Sequence, residues 1–157
     1  MYNKRKIRSK TGLEYATRVL AKKDYSEKEL RKKIEEHFGV DEAEEAISKL
    51  KGYGYLDDNR YREMYIASRI RSGYGTYRIT NDLYEKGLDD SLEDLDEICE
   101  KSHIDRHQIL KDDVLRFMER KRIDDAYELK QKCLAYFYRR GHSIDNVTRI
   151  IDEELNK

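Results

Sequence analysis

Residues 25–34 (YSEKELRKKI), 74–83 (YGTYRITNDL) and 142–151 (HSIDNVTRII) share one pattern within this 157-residue chain. Each begins with a tyrosine or histidine ring, continues with a small residue, and carries aliphatic side chains five and nine positions after the ring. Because side chains four positions apart lie on one face of an α-helix, the pattern predicts that a turn leads into a helix three times. Such internal repetition indicates stacked copies of one helical unit, which usually form extended surfaces for large partners.

The composition favours helices and a thin core. Charged residues make up 42% of the chain and apolar residues 38%, and there is no proline. Ordinary soluble domains hold about 25% charged residues, so the surface must be large relative to the core. Long stretches of Lys, Glu, Arg and Leu without a helix breaker favour helix formation. We therefore predict an all-α fold.

Helix starts are marked by a capping residue followed three positions later by a carboxylate or an amide. These pairs are Thr11 with Glu14, Ser26 with Glu29, Asp41 with Glu44, Asp105 with Gln108, Asp125 with Glu128 and, more weakly, Ser91 with Asp94. They predict a basic N-terminal tail at residues 1–10 and a first repeat of three helices at 11–56. A second repeat at 57–123 would have three helices plus an extra or extended one, and a shortened third repeat at 124–157 would have two.

Charge is balanced overall but segregated along the chain. Lys and Arg total 33, as do Asp and Glu. Residues 1–40 hold 12 basic and 6 acidic residues, whereas residues 87–100 hold 7 acidic residues and no basic one. Acidic residues favour helix N-termini, which explains part of the segregation. The remainder predicts a basic surface over successive units, suited to an acidic protein groove or a phosphate backbone.

No catalytic or metal-binding constellation is evident. The Gly73-Tyr74-Gly75 turn lacks the preceding strand and the Lys-Ser or Lys-Thr pair of a phosphate-binding loop. Cys99, His103 and His107 are spaced four apart, but a fourth zinc ligand is missing and Asp105 is expected to interrupt the helix. We predict no enzymatic activity, no cofactor and no metal.

Other features predict a cytoplasmic protein. The two cysteines, Cys99 and Cys133, are expected to be buried and reduced. No run of about 18 apolar residues exists, so no membrane span is expected. The basic start of the chain also lacks the apolar stretch of a signal peptide.

Tyrosine is the dominant aromatic residue, with thirteen copies against three Phe and no Trp. Tyr beside Arg suits protein interfaces and can also stack on bases. Alternatively, half or more of these rings seal grooves between helices, and the charges form a solvated face. The candidate partner-binding residues are Tyr25, Lys28, Arg31, Lys32, Arg69, Arg71, Tyr74, Arg78, Arg139, Arg140 and His142.

Four segments resemble the RecX family of bacterial recombination regulators. They are residues 24–34 (DYSEKELRKKI), 54–58 (GYLDD) followed by Arg60 and Tyr61, 68–83 (SRIRSGYGTYRITNDL) and 139–143 (RRGHS). The resemblance spans residues 13–155, and the motifs occur in the family's order. Two positions depart from the family pattern: Thr76 replaces a frequent proline, and His142 replaces an aromatic such as Phe.

The resemblance implies tandem three-helix repeats and a non-enzymatic modulator of the RecA recombinase. Such a protein would lie in the groove of the RecA–DNA filament. It would hinder strand exchange, ATP turnover and the coprotease activity that triggers the damage response. The candidate residues of the three repeats fall on the family's matching motifs, and their contact roles are our inference.

The leading prediction is thus a monomeric RecA modulator made of tandem three-helix repeats in an elongated, curved array. Whether its basic faces directly contact single- or double-stranded DNA is a question that the sequence leaves open. A helix-turn-helix-like DNA-binding protein is the alternative, although the pI near 6.9 disfavours it. A hydrolase would require a pocket that gathers strongly shifted titratable groups. If the arginines at 69, 71, 78, 139 and 140 lay on opposite sides of the fold instead of along one continuous face, the groove mechanism would lose its physical basis.

Overall fold

A computed structural model describes residues 8–157, and these residues form helices joined by short turns, without a strand. The helices are α1 (Gly12–Leu20), α2 (Glu27–Phe38), α3 (Val40–Gly52), α4 (Asp58–Arg71), α5 (Thr76–Glu85), α6 (Leu95–Lys101), α7 (Arg106–Lys121), α8 (Ala126–Arg139) and α9 (Ile144–Leu155). The predicted all-α repeat fold is therefore confirmed. Residues 1–7 of the predicted basic tail lie outside the described residues.

Four predicted helix caps are confirmed. The side chains of Thr11, Ser26, Asp105 and Asp125 each accept a hydrogen bond from the backbone amide three positions later. Ser26 and Glu29 bond reciprocally and so form a complete capping box.

Two other cap predictions are wrong. Helix α3 begins at Val40, so Asp41 lies in its first turn instead of capping it. A carboxylate in that position still interacts favourably with the helix dipole. Helix α6 begins only at Leu95, after Asp94, and Ser91 lies in the preceding loop.

The chain divides into two compact units. The first comprises residues up to Tyr61 together with Lys86–Leu88, and the second comprises Arg62–Glu85 and Asp89–Lys157. In the first unit, helices α1, α2 and α3 pack around one apolar core, formed by Ala16, Leu30, Ile34, Ala43, Ala46, Ile47, Leu50 and Leu56. This core contains the two aliphatic positions of the first repeated segment.

In the second unit, helices α7, α8 and α9 share a core made of Leu110, Val114, Phe117, Cys133, Phe137, Val147, Ile150 and Ile151. The sequence predicts α7 in the second repeat, whereas its apolar face packs with α8 and α9. The repeat division at residues 56 and 123 stays a prediction, and this packing favours a boundary before α7.

The remaining repeated segment is anchored in the same way. Ile79 and Leu83 of α5 are fully buried in the second unit, where Ile66 and Ile70 of α4 are also buried. The two aliphatic positions of all three segments are thus in the protein interior. Of the described helices, none combines the length and the apolar character that a bilayer crossing requires.

Candidate partner-binding surface

Two of the three repeat turns meet in the second unit. We call Tyr25 and Ser26 the first repeat turn, residues 72–75 the second repeat turn and residues 140–143 the third repeat turn. The Gly75 amide donates to the Arg140 carbonyl at 2.8 Å, and the Tyr77 amide donates to the Gly141 carbonyl at 3.1 Å. The second and third repeat turns therefore touch backbone to backbone.

This approach requires glycine on both sides. A Cβ atom at Gly75 would overlap the Gly141 carbonyl group and the His142 amide nitrogen, and one at Gly141 would overlap the Arg78 backbone. Gly73 and Gly141 also have φ values of 82° and 91°, in the left-handed region that glycine adopts most easily. Gly73 thus adopts a left-handed conformation just after α4 ends at Arg71.

The Tyr74 ring lies between two arginines. The guanidinium carbon of Arg69 is 3.7 Å from the ring centroid, and that of Arg140 is 4.2 Å from it. Arg140 also donates from Nε to the Gly73 carbonyl at 3.2 Å and from Nη2 to the Ser72 carbonyl. Arg69, Tyr74 and Arg140 therefore form one rigid stack, although the two arginines are 71 positions apart in the sequence.

His142 completes the contact between these turns. Its Nε2 lies 2.9 Å from the Gly73 carbonyl oxygen, and its ring packs edge-on against Phe137 at 5.7 Å. Burial lowers the pKa of His142, and the positive charge of Arg140 lowers it as well. The bond to the Gly73 carbonyl acts in the opposite direction but does not outweigh burial. His142 is thus a packing residue, whose half-buried ring lies against Phe137.

Asp82 connects the arginines beneath this stack. Its carboxylate accepts from the Tyr65 hydroxyl at 2.9 Å, from Arg69 at 3.2 Å and from Arg78 at 3.1 Å. Asp82 is buried, so these charge-assisted bonds hold Arg69 and Arg78 in place. The sequence analysis did not single out Asp82, although its spacing of four residues from Arg78 is the signal of a helical ion pair.

A groove of about 670 Å³ lies beside the paired turns, and two candidate arginines line it. Tyr77 and Arg78 of α5 line it together with Tyr138 and Arg139 of α8. The two tyrosines are 69% and 64% exposed. Arg139 is exposed and has no ion pair with a described residue. Asp145 at the start of α9 lines the groove as well, so the groove offers aromatic surface, two arginines and one carboxylate to a partner.

Arg71 lies apart from this groove. It is exposed, donates to the Ser102 carbonyl at 2.8 Å and lines a different pocket with Ile98 and Lys101. Arg69, Arg140 and Arg78 are joined through Tyr74 and Asp82, and Arg139 shares the groove with Arg78. Four of the five arginines thus lie along one connected region, and Arg71 does not belong to it.

A buried arginine that was not predicted organises the acidic loop before α6. Arg62 donates to both carboxylate oxygens of Asp94, at 2.7 and 2.8 Å, and to the carbonyls of Asp89 and Ser91. The bond to Asp94 raises the pKa of Arg62 and lowers that of Asp94. Part of the predicted acidic segment is therefore neutralised within the fold.

In the first unit the candidate residues have other neighbours. The Tyr25 ring has the ammonium groups of Lys23 and Lys33 each 5.3 Å from its centroid. Arg31 pairs with Glu27 at 3.0 Å and with Glu44 at 2.5 Å. Lys28 and Lys32 are both exposed on α2. Of these four candidates, Lys28 and Lys32 present the most exposed charge, and the contact roles of all four stay predictions.

The structure does not bring together the residues that were considered as zinc ligands. Helix α6 ends at Lys101, and His103 adopts a positive φ of 54°, so Cys99, His103 and His107 do not share a helix. Among residues 8–157, no group of three or more His, Cys, Asp and Glu has metal-binding geometry. Both cysteines are buried and free, as predicted, and burial raises the pKa of Cys133 to about 11.

Comparison with known proteins identifies a consistent set of relatives. The family model described as "RecX, second three-helix domain" matches residues 57–92. A protein from Salmonella typhimurium named "Regulatory protein RecX" is 31% identical, with 88% of each chain covered. A protein of the same name from Haemophilus influenzae is 29% identical, covering 95% of this chain and 98% of the relative.

Solved structures agree with the fold. The crystal structure of RecX from Lactobacillus salivarius superposes with a TM-score of 0.69 at 22% sequence identity. The match covers 90% of this chain and 93% of that one. This likeness independently supports the all-α repeat fold.

Proposed function

The chain belongs to the RecX family of regulatory proteins, and we propose that it regulates RecA by binding in the groove of the RecA–DNA filament. There it hinders strand exchange, ATP turnover and the coprotease activity that triggers the damage response. It acts in the cytoplasm as a monomer, without enzymatic activity of its own. The division into tandem repeats provides several weak contacts whose combined affinity is high.

The observation that carries this proposal is the groove between α5 and α8. Its exposed rings and arginines are of the residue types enriched at protein interfaces. Arg139 has no ion pair with a described residue and so offers its positive charge to a partner. A carboxylate-bearing surface of RecA fits this chemistry.

Hydrolysis of ATP by RecA on single-stranded DNA is the direct test. We expect the wild-type protein to lower the rate and Arg139→Glu to require about tenfold more protein for the same effect, because charge reversal at an interface is repulsive. Arg120→Glu is the matched control, since Arg120 is exposed on α7 outside the groove. Unchanged ATP turnover and strand exchange with wild-type protein would rule out the proposal.

Binding to DNA without RecA separates this function from the helix-turn-helix alternative. We expect weak binding without base preference, because the net charge is zero. Fluorescence anisotropy with labelled duplexes over a range of salt concentrations measures it. Tight binding with a steep salt dependence and a preferred sequence would instead support a DNA-binding protein.

A further inference from the structure

A second pocket, of about 270 Å³, lies entirely in the second unit and shares His142 and Ser143 with the groove. Buried Ile70 and Leu110 contribute apolar surface to it, together with the backbone of Gly73 and Gly75. Its polar lining comes from Tyr74, Thr76, Arg106, His107, His142, Ser143, Asn146 and Arg149. The pocket therefore combines an apolar base with polar groups from three helices and two turns.

The ionisable groups that line this pocket are basic, apart from the Tyr74 phenol. They are Arg106 and His107 on α7, His142 in the third repeat turn and Arg149 on α9, and none of the described Asp or Glu residues lines the pocket. Arg106 pairs with Asp96 at 2.9 Å, but Asp96 is 89% exposed, so this ion pair is solvated and weak. Arg149 bonds the neutral side chain of Asn146 at 2.9 Å. Both guanidinium charges thus remain available to an anion.

The helix ends add to this positive character. Thr76, Arg106 and Asn146 belong to the first turns of α5, α7 and α9, where the backbone carries partial positive charge. Helix α9 has no side-chain cap, because Ser143 makes no bond to an amide of its own helix. An anion near Ser143 would provide the acceptor that the cap does not supply.

We propose that this pocket binds a phosphate group, supplied either by a nucleic-acid backbone or by a free nucleotide. Two arginines with planar donor groups suit the oxygen atoms of a phosphate. The pocket is slightly smaller than the roughly 300 Å³ at which whole-ligand pockets begin. A phosphate group is small enough for this volume. This site goes beyond the proposed action on RecA and does not depend on it.

Titration of the full chain with inorganic phosphate and with pyrophosphate, followed by NMR, tests the site. We expect saturable shifts confined to the amides of residues 75–77, 106–109 and 143–149. Sodium chloride at equal ionic strength should not produce them. Shifts that are spread over the chain, or that chloride reproduces, would show that no site exists.

A pair of double variants tests the residues. Arg106→Gln with Arg149→Gln should weaken pyrophosphate binding at least about tenfold, since two charge-assisted contacts are lost. Arg116→Gln with Arg120→Gln removes the same charge from exposed positions of α7 outside the pocket and should leave binding unchanged. Circular dichroism checks that both variants fold. Equal weakening by the two double variants would overturn the proposal in favour of a non-specific charge effect.

The source of the phosphate is distinguished by comparing ATP, a thymidine oligonucleotide and its uncharged methylphosphonate analogue. A nucleic-acid site requires that the native oligonucleotide shift the same amides and displace pyrophosphate, while the analogue does neither. A nucleotide site requires that ATP shift these amides and displace pyrophosphate, while neither oligonucleotide does so. If none of these phosphates acts at the pocket, the proposal fails, whatever the RecA assays show.

Discussion

The first repeat turn and the paired second and third repeat turns share a sequence pattern but are held by different forces. Ser26 is buried, caps α2 and donates to the Lys86 carbonyl at 2.6 Å, while Lys86 pairs with Glu29 at 2.7 Å. The paired turns instead rest on glycine contacts and on Tyr74 between arginines. The shared pattern therefore specifies a helix start, whereas the residues around each turn decide which contacts hold it.

The small residue after the ring shows this difference most clearly. Ser26 caps its helix, Gly75 allows close backbone approach, and Ser143 leaves its helix without a side-chain cap. The contacts of the ring vary as well, because the Tyr25 ring packs against the first core beside two lysine ammonium groups, whereas Tyr74 is stacked on planar guanidinium groups. A guanidinium stacks on an aromatic face better than a compact ammonium does.

The largest effect is expected at the glycine contact. Gly75→Ala should destabilise the second unit by about 3 kcal/mol or more, because the new methyl group would meet backbone atoms that have no room to move. Gly52→Ala is the control, since nothing lies within 4 Å of its added methyl group. That change should leave stability equal or raise it by up to about 1 kcal/mol. Urea unfolding followed by circular dichroism measures both, and a mild effect of Gly75→Ala would contradict the tight contact.

A smaller effect is expected at the buried carboxylates. Asp82→Asn should cost about 2 kcal/mol, because Arg69 and Arg78 lose a shared charged partner in a buried place. Glu29→Gln in the first unit should cost about 1 kcal/mol or less, since the Glu29 side chain is 28% exposed against 10% for Asp82. The same urea experiment compares them, and the reverse order would show that burial does not control these pairs.

Replacing the two tyrosine rings should change stability by less than replacing the buried carboxylates. Tyr74→Leu should cost about 1–2 kcal/mol, because it removes the contact with two arginines, and Tyr25→Leu should cost less than about 1 kcal/mol. Tyr74→Phe keeps the aromatic face and should preserve most of the stability. Thermal unfolding of the three variants tests this prediction, and equal losses at Tyr74 and Tyr25 would remove the distinction between the turns.

The smallest expected effect is a difference in pH dependence. The pKa of His142 is lowered from its ordinary value of 6.5, so the unfolded chain binds the proton first as pH falls. Stability from this residue is therefore present above pH 6.5 and is lost as pH falls through the folded-state pKa.

Glu29 in the first unit should respond at lower pH. Burial alone would raise the pKa of Glu29, but the bonds from Lys86 and Ser26 outweigh it and hold the pKa below 4.5. Its contribution is thus complete above pH 4.5 and is lost as pH falls further. Urea midpoints of the wild type, His142→Gln and Glu29→Gln between about pH 8 and pH 4 separate the two windows. An unchanged slope near pH 6 in His142→Gln would exclude a role for His142.

Local rules account for what could be predicted from the residues. Caps and apolar spacing act within one or two turns of a helix, so the starts of α1, α2, α7 and α8 and the buried aliphatic positions of the repeats were all predictable. The prediction that Asp41 caps α3 was wrong because Gly39 ends α2 and also begins α3, so no linker separates the two helices. The candidate groove residues Arg78 and Arg139 were named from their motif, yet nothing in the sequence brought them together.

The sequence by itself thus determined an all-helical chain with three equivalent turns and a set of basic and aromatic residues near them. Only the tertiary structure decided that Tyr74 lies between Arg69 and Arg140, that Asp82 joins Arg69 and Arg78, and that Arg71 stands apart. The physical reason is that helix signals depend on neighbours along the chain. Pairing between turns far apart in the sequence depends on how the helices pack.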